Sequence, residues 1–485
     1  MKLKSSPIVQ EILDNNWEKW CSSNPFFSLY GESWYFFYIY FLYFIFIKHY
    51  TYCFILFLIM QNITSIAYVL CIILTIYWII KIISFFWVTK HYAKIKEDIP
   101  KYITIDKNKK LVYILPVYQE TVLMKDTIDH YMPYLSENIQ LLIIWTAKER
   151  DKEGKNTTLD IAKKYTNKHI SIIEYPNQYG FMAHQVNYWV EYLIKQWYDP
   201  SKTFVHMLNI DSRLSKQYLS EVVKNINNNK PIMLQTAMYT SNFEKSPLLL
   251  KWVGIVQSRR TITGEQRRIL LNSYVSNLKL YHVVGHGLII TIEKFIKYKW
   301  FPENTFTEDM HYGYYLSINK EKIQPIVSNE IADIPTNMRW WRNQAQVRFI
   351  GAMEYHAYLK SYLSKFKKTL SLRVVIMTIQ GFYNAFKRLC ISYIIRFLLF
   401  AILFSWSLSL LIASIIWLSI YMTHYWLTIE YLYKNKYIKD KKLSYLFSSF
   451  IIVAIRSFPP TLALIKYISW KLGIFTYVKY KTPHE

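Results

Sequence analysis

The run FVHMLNIDSR, residues 204–213, decides the fold: a stretch suited to a buried strand gives way to Asp211-Ser212-Arg213, so a carboxylate stands where the chain leaves the sheet. Around it, short β-rich runs at 111–115 (LVYIL), 141–145 (LLIIW), 170–173 (ISII) and 232–236 (IMLQT) alternate with helical patterns at 125–135, 158–165 and 184–196. Such alternation marks βαβ units and predicts one α/β domain between about residues 100 and 340. In open α/β sheets ligands bind beyond the carboxyl ends of the strands, so the residues just after each strand carry the functional reading.

The ends of the chain are of a different kind. The 485 residues are 52% hydrophobic and 18% aromatic, above the norm for soluble domains. Residues 65–88, SIAYVLCIILTIYWIIKIISFFWV, hold Lys81 as their only charge and exceed the ~20 residues a helix needs to cross a bilayer. Residues 34–60 are nearly as apolar around Lys48 and His49 and complete an N-terminal hairpin. A cleavable signal peptide is not expected, because the apolar run begins only at Trp34, behind a mixed-charge segment. Residues 390–427 have the length for two short spans or one long tilted span. Residues 443–468, with Arg456 and Pro459-Pro460, read as a kinked span or a re-entrant helix, for four to five spans in all.

The net charge of +26 collects beside these segments, at Lys90, Lys94, Lys96 and Lys101 and again at Lys434, Lys436, Lys439, Lys441 and Lys442. That placement puts both flanks on the cytoplasmic side and favours anionic lipids and anionic substrates over nucleic acid as partners. Cys21, Cys53, Cys71 and Cys390 have neither paired nor metal-type spacing.

At the strand ends, Pro116 stops the first strand and Tyr118 and Glu120 follow, placed either to hold a base or sugar or to form an ordinary strand-to-helix turn. The second strand runs into a charged stretch that includes Glu149. Asp211 is placed to ligate a divalent cation bridging two phosphates, although aspartate is also a routine turn residue. Gly180 leads into a helix whose polar residues could face a pyrophosphate. In YHVVGHGLII, residues 281–290, His286 stands between Gly285 and Gly287, where small residues permit close approach of an acceptor.

Thr307-Glu308-Asp309 precedes a helical stretch at 310–319. Thr307 suits an N-cap, and the helix macrodipole stabilises acids in the first turn. The same field keeps Asp309 ionised, as a general base must be. Tyr312, Tyr314 and Tyr315 read as core. In RWWRNQAQVRF, residues 339–349, Trp340 and Trp341 offer faces for a sugar and Arg348 a guanidinium for a diphosphate, unless the stretch is simply an interfacial helix.

Taken in order, Pro116-Val117-Tyr118-Gln119-Glu120, Asn209-Ile210-Asp211, Gly285-His286-Gly287, Thr307-Glu308-Asp309 and the Gln/Arg/aromatic run ending at Arg348-Phe349 resemble the membrane-bound family 2 glycosyltransferases, the group that includes cellulose and hyaluronan synthases. The likeness spans roughly residues 105–351. It implies an α/β GT-A fold, a Rossmann-like nucleotide-diphospho-sugar transferase domain on the cytoplasmic face of the plasma or inner membrane, flanked by α-helical transmembrane segments. By the same resemblance Asp309, supported by Glu308, takes the proton from an acceptor hydroxyl as it attacks the anomeric carbon, with inversion. Pro116, Tyr118, Glu120, Glu149, Asp211, Arg213, Gln344 and Arg348 would hold the nucleotide-sugar, expected to be a UDP-sugar. His286, Gly287, Trp340 and Trp341 would hold the acceptor, and Asp211 a Mg or Mn ion.

The chain departs from the family in three respects. Arg213 replaces the second acid of D-x-D, so it either removes a metal ligand or takes over part of the cation's role. Gln344 and Gln346 stand four and two residues before Arg348 instead of three, with Phe349 in place of tryptophan. Met182 stands where many members have lysine. The expected organisation is a cytoplasmic segment (1–33), a transmembrane hairpin (34–90), the GT-A domain (100–338), interfacial or gating helices (339–388), C-terminal transmembrane helices (389–468) and a cytoplasmic tail (469–485).

The chain would then extend a polysaccharide, or add one sugar to a lipid or lipid-linked acceptor. A degenerate scaffold is disfavoured by the retained Thr307-Glu308-Asp309 and Asp211. A transporter is disfavoured because the acids lie at strand ends and not within spans.

Overall fold

The computed structural model describes residues 65–101, 103–149, 157–177, 182–196, 198–275, 279–281, 283, 285–305, 307–405, 407–446, 451, 455–456 and 458–472. The expected first segment and first span, at 1–33 and 34–60, lie outside the described residues, as does the tail beyond residue 472.

Seven strands form one sheet: β1 Lys110–Pro116, β2 Ile139–Thr146, β3 Ile170–Tyr175, β4 Thr203–Met207, β5 Ile232–Tyr239, β6 Leu288–Thr291 and β7 Gln324–Ala332, in the order β3-β2-β1-β4-β6-β5-β7. Every strand pair is parallel except those made by β6, which runs antiparallel to both β4 and β5. This single reversal matters for the site. The residues that lead into β6 lie at the same edge of the sheet as those that leave β4 and β5.

The helices are α1 Ser65–Glu97, α2 Thr121–Tyr131, α3 Thr158–Lys163, α4 Met182–Lys195, α5 Lys216–Asn227, α6 Leu248–Arg260, α7 Ile292–Lys297, α8 Glu308–Ile318, α9 Met338–Met353, α10 Tyr355–Phe366, α11 Leu372–Ser405, α12 Leu408–Lys434 and α13 Phe458–Lys471. Helix α6 continues through two wide π-helical turns, Thr261–Gln266 and Leu271–Val275.

Because β-strand side chains alternate between faces, β1 and β2 split between two cores. Leu111, Tyr113, Leu115, Leu141, Ile143 and Trp145 pack with Met124, Ile128 and Tyr131 of α2 and Tyr218, Val222 and Ile226 of α5. Val112, Ile114, Leu142 and Ile144 pack on the opposite side with Val186, Trp189 and Val190 of α4, in a cluster that also holds Tyr312, Tyr314 and Tyr315 of α8. Burial of both faces explains why these strands read as continuous apolar runs.

Strand β4 stops at Met207, short of the expected 210. The Thr127 hydroxyl donates to the Ile210 carbonyl at 2.6 Å and the Tyr131 hydroxyl to the Ser212 carbonyl at 3.0 Å, so α2 captures these backbone groups as a loop. Strand β7 is held through the Glu221 carboxylate, which accepts the N–H groups of Val327 and Ser328 at 2.7 and 3.0 Å.

Helices α1 and α12 are long and apolar enough to cross a membrane. One face of α1, with Cys71, Leu74, Trp78 and Phe85, joins a core cluster that includes Trp417, Tyr421 and Tyr425 of α12. The other face leaves Val69, Ile73, Ile76, Ile80 and Ile83 each about half exposed or more. Residues 390–427 fall in two helices, the end of α11 and most of α12, parted between Ser405 and Leu408. Pro459-Pro460 stands in the first turn of α13, a position that suits proline.

Candidate active site

Helix α8 is buried nearly all round and lies in the core, with its tyrosines, Met310, Leu316 and Ile318 in the packing. Each of its residues is buried except Asp309, which is half-buried. The carboxylate accepts the Gly285 N–H through Oδ2 at 3.2 Å and the Met310 N–H through Oδ1 at 2.7 Å. Asp309 is therefore the point at which a core helix meets the open sheet edge, beside the loop that leads into β6. Glu308 is buried next to it.

The expected N-cap is not made. Thr307 makes no side-chain capping bond, and its hydroxyl instead meets the Tyr358 hydroxyl of α10 at 2.8 Å. The close approach of α9 at Gly351 explains the difference, since a Cβ built on Gly351 would fall 2.0 Å from Thr307 Oγ1.

Gly285, His286 and Gly287 form the lead-in. Gly287 adopts φ +85° and bridges two strands, donating to the Met207 carbonyl and accepting from the Gln235 N–H, both at 2.9 Å. A Cβ there would sit 2.9 Å from the Gln235 carbonyl oxygen, so glycine is required by conformation and by space.

His286 Nδ1 lies 2.7 Å from Glu330 Oε2 on β7, and Ser212 Oγ donates to Glu330 Oε1 at 2.5 Å. Glu330 is 1% exposed. Burial works against charge on both partners. For His286 it is outweighed by the charge and hydrogen bond of Glu330, with a contribution from Asp211, and the imidazole is pushed up to about 9. For Glu330 it is outweighed by His286 and Ser212, and the carboxyl is held below its usual range. The pair is an imidazolium-carboxylate bridge that ties the loop before β6 to β7, and through Ser212 the same carboxylate also holds the loop after β4. Sequence reading missed Glu330. Little marked it, since the run QPIVSNEIA, residues 324–332, begins with Gln324-Pro325 and sets Ser328 and Asn329 beside the acid.

Asp211 lies half-buried in the loop that Ser212 anchors. Arg213 turns back on the same loop, with Nη1 donating to the carbonyls of Ile210 and Ser212 at 2.9 and 3.0 Å. Glu149 accepts the Gln119 N–H at 3.0 Å and the Thr158 N–H at 2.8 Å, so both oxygens organise the turn after β1 and the start of α3. The backbone of Glu120 donates to Thr158 Oγ1 at 2.9 Å, Tyr118 is half-buried beside it, and Pro116 closes β1.

Trp340, Trp341, Gln344 and Arg348 all lie on α9, half-buried. Arg348 Nη2 donates to the Tyr239 hydroxyl at 3.4 Å, and its guanidinium stands 5.9 Å from that ring. Burial opposes its charge, but Tyr239, Glu265 and Asp309 outweigh it and hold the guanidinium protonated. Gln346 is buried and accepts from Lys466 of α13 at 3.2 Å. The structure thus brings Asp309, Gly285–Gly287, Asp211 and Arg348 to one end of the sheet. Glu149 and Glu120 stand in the turn beyond β1 and β2.

Among the described residues no group of three or more His, Cys, Asp or Glu side chains could hold a metal ion unaided. A single carboxylate at Asp211 still fits a Mg-type ion, which binds through one or two carboxylates together with substrate phosphates.

The domain is an open, mixed α/β sheet of seven strands with helices, a class whose ligands bind at the carboxyl edge of the strands. No protein-family model and no curated protein matches the chain. Among solved structures, one that it is similar to is the mannosyltransferase PcManGT from Pyrobaculum calidifontis in complex with GDP-Man and Mn2+, with a TM-score of 0.45, 12% identity, and coverage of 80% of this chain and 98% of that one.

Proposed function

We propose that this chain is an inverting glycosyltransferase at the cytoplasmic face of a membrane, moving a sugar from a nucleotide-diphospho-sugar to an acceptor hydroxyl. The observation that carries this reading is Asp309, the one open residue of a buried helix, aimed at the sheet edge with its carboxylate fixed by two backbone N–H groups.

A base so placed removes the acceptor proton as the oxygen attacks the anomeric carbon from the face opposite the leaving group, which inverts that carbon. Arg348 supplies positive charge against the diphosphate as the bond breaks. Asp211, with a divalent cation bound, would help neutralise the same phosphates. His286, Gly287, Trp340 and Trp341 are assigned to the acceptor side, and Tyr118, Glu120, Glu149, Arg213 and Gln344 to the donor side. Within that assignment His286 acts as a cation fixed by Glu330. Glu149 and Arg213 act through the loops they hold.

The test is to incubate membranes bearing the protein with a panel of labelled nucleotide sugars, UDP-linked and GDP-linked, and to size the product. Transfer of label to a glycan or lipid acceptor is expected. Retention of all label on the nucleotide across the panel would contradict the proposal.

A further inference from the structure

A cavity of about 110 Å³ lies between α1, the π-helical extension of α6, α11 and α12, with room for several water-sized groups. Arg259, Arg260, Arg267 and Arg268 form one wall. Lys81 comes from α1, Lys387 and Arg388 from α11, and Arg456 from the stretch before α13. Among the described residues that line it, eight are cationic and only Glu265 is acidic, and it is already engaged with Arg260 at 3.3 Å.

Among the described residues, the other hydrogen-bond partners of these cations are neutral. Lys81 donates to the Thr263 carbonyl at 3.2 Å, Arg268 to Asn384 Oδ1 at 2.8 Å and Arg388 to the Arg348 carbonyl at 2.7 Å. The Nε groups of Arg259 and Arg267 are buried with no partner among the described residues. Like charges gathered away from water repel one another, and a buried charge is costly unless it is paired. For Arg268 the effect is visible as a guanidinium pushed down, chiefly by burial. Charge so concentrated calls for an anion to occupy the cavity.

The position says which anion. A neighbouring cavity of about 80 Å³ shares Arg260, Arg388 and Arg456 with the first and is lined also by Trp341 and Arg348. The cationic residues therefore extend from Arg348, whose charge Asp309 helps to hold, to the long apolar helices α1 and α12. Phosphate oxygens match forked guanidinium donors. The apolar walls suit a ligand that arrives from the membrane.

We propose that this cavity binds the phosphate or diphosphate headgroup of a membrane lipid that carries the sugar acceptor to Asp309. The lipid's place as acceptor carrier rests on the transferase reading, whereas headgroup binding does not.

The experiment uses the full chain in phosphatidylcholine nanodiscs, titrated with farnesyl diphosphate, farnesol or inorganic pyrophosphate, with the thermal midpoint as readout. Farnesyl diphosphate is expected to raise the midpoint and farnesol to leave it unchanged. The double variant Arg268→Gln/Arg456→Gln is expected to bind farnesyl diphosphate about tenfold more weakly. Glu265→Gln, which removes the one competing carboxylate, is expected to bind more tightly, a gain that misfolding does not produce. No shift with farnesyl diphosphate, or equal affinities in wild type and both variants, would overturn the proposal. A shift with pyrophosphate alone would assign the cavity to a free phosphate and overturn the lipid source. Asp309→Asn is expected to bind farnesyl diphosphate unchanged. Intact binding without sugar transfer from any donor would count against the transferase reading and leave the cavity assignment standing.

Discussion

Glu330 holds two loops at once, through Ser212 on one side and His286 on the other, and its loss leaves a half-buried imidazolium without its counter-ion. Breaking a buried pair from one side costs about 3–5 kcal/mol, so Glu330→Gln is expected to lower the thermal midpoint markedly. The pH dependence has a definite sign. His286 has a folded value of about 9, above the ~6.5 of an unfolded histidine. Its stabilisation is therefore complete below about 6.5 and is lost as the pH rises through about 9. The depressed carboxyl of Glu330 gives the opposite limb, present at neutral pH and lost in acid. Unfolding profiles from pH 6 to 10 should show the alkaline decline in the wild type and a flattened one in His286→Gln, and identical profiles would contradict the bridge. Asp309 and His286 were legible from sequence as candidates, His286 through the glycines on either side of it and Asp309 through its place at a helix start within an ordered set of strand-end residues. Glu330 was not, because its partners meet it only through the reversal of β6 and the pairing of β7 with β5.

Among the elements, strands β1, β2, β3 and β5 and helices α3 and α4 were readable, since unbroken apolar runs and helical periods carry their own signal. Strand β7 escaped notice: it begins with Gln324-Pro325 and carries Ser328, Asn329 and Glu330 in its centre, so its membership depends on β5 and on Glu221 more than on its own composition. The N-cap expected at Thr307 failed for a tertiary reason, the nearness of α9 and α10. Helices α10 and α11 likewise meet at a glycine. A Cβ on Gly381 would lie 2.3 Å from Cγ of the buried Tyr355 ring. Gly→Ala in a helix gains up to about 1 kcal/mol from propensity, whereas overpacking a filled core costs about 1–3 kcal/mol. Gly381→Ala is therefore expected to destabilise, and a raised thermal midpoint in that variant would contradict this packing.

For the whole molecule, the exposed apolar face of α1 and the long apolar α12 lead us to propose an integral membrane protein with the sheet's carboxyl edge near the membrane surface. Alkaline carbonate washing is expected to leave the chain in the membrane pellet, and its release into the wash would contradict that placement. An arginine placed among lipid tails costs roughly 2.5–3.5 kcal/mol on insertion scales, so Ile76→Arg is expected to reduce the membrane-integrated fraction. The central claim is that Asp309 is the base for sugar transfer. Its most direct test is the turnover of wild type and Asp309→Asn side by side on the best nucleotide-sugar donor, with thermal midpoints measured on the same samples. Loss of general-base catalysis predicts a fall of about 10²–10⁴-fold at an unchanged midpoint. Equal turnover in the two proteins would contradict it.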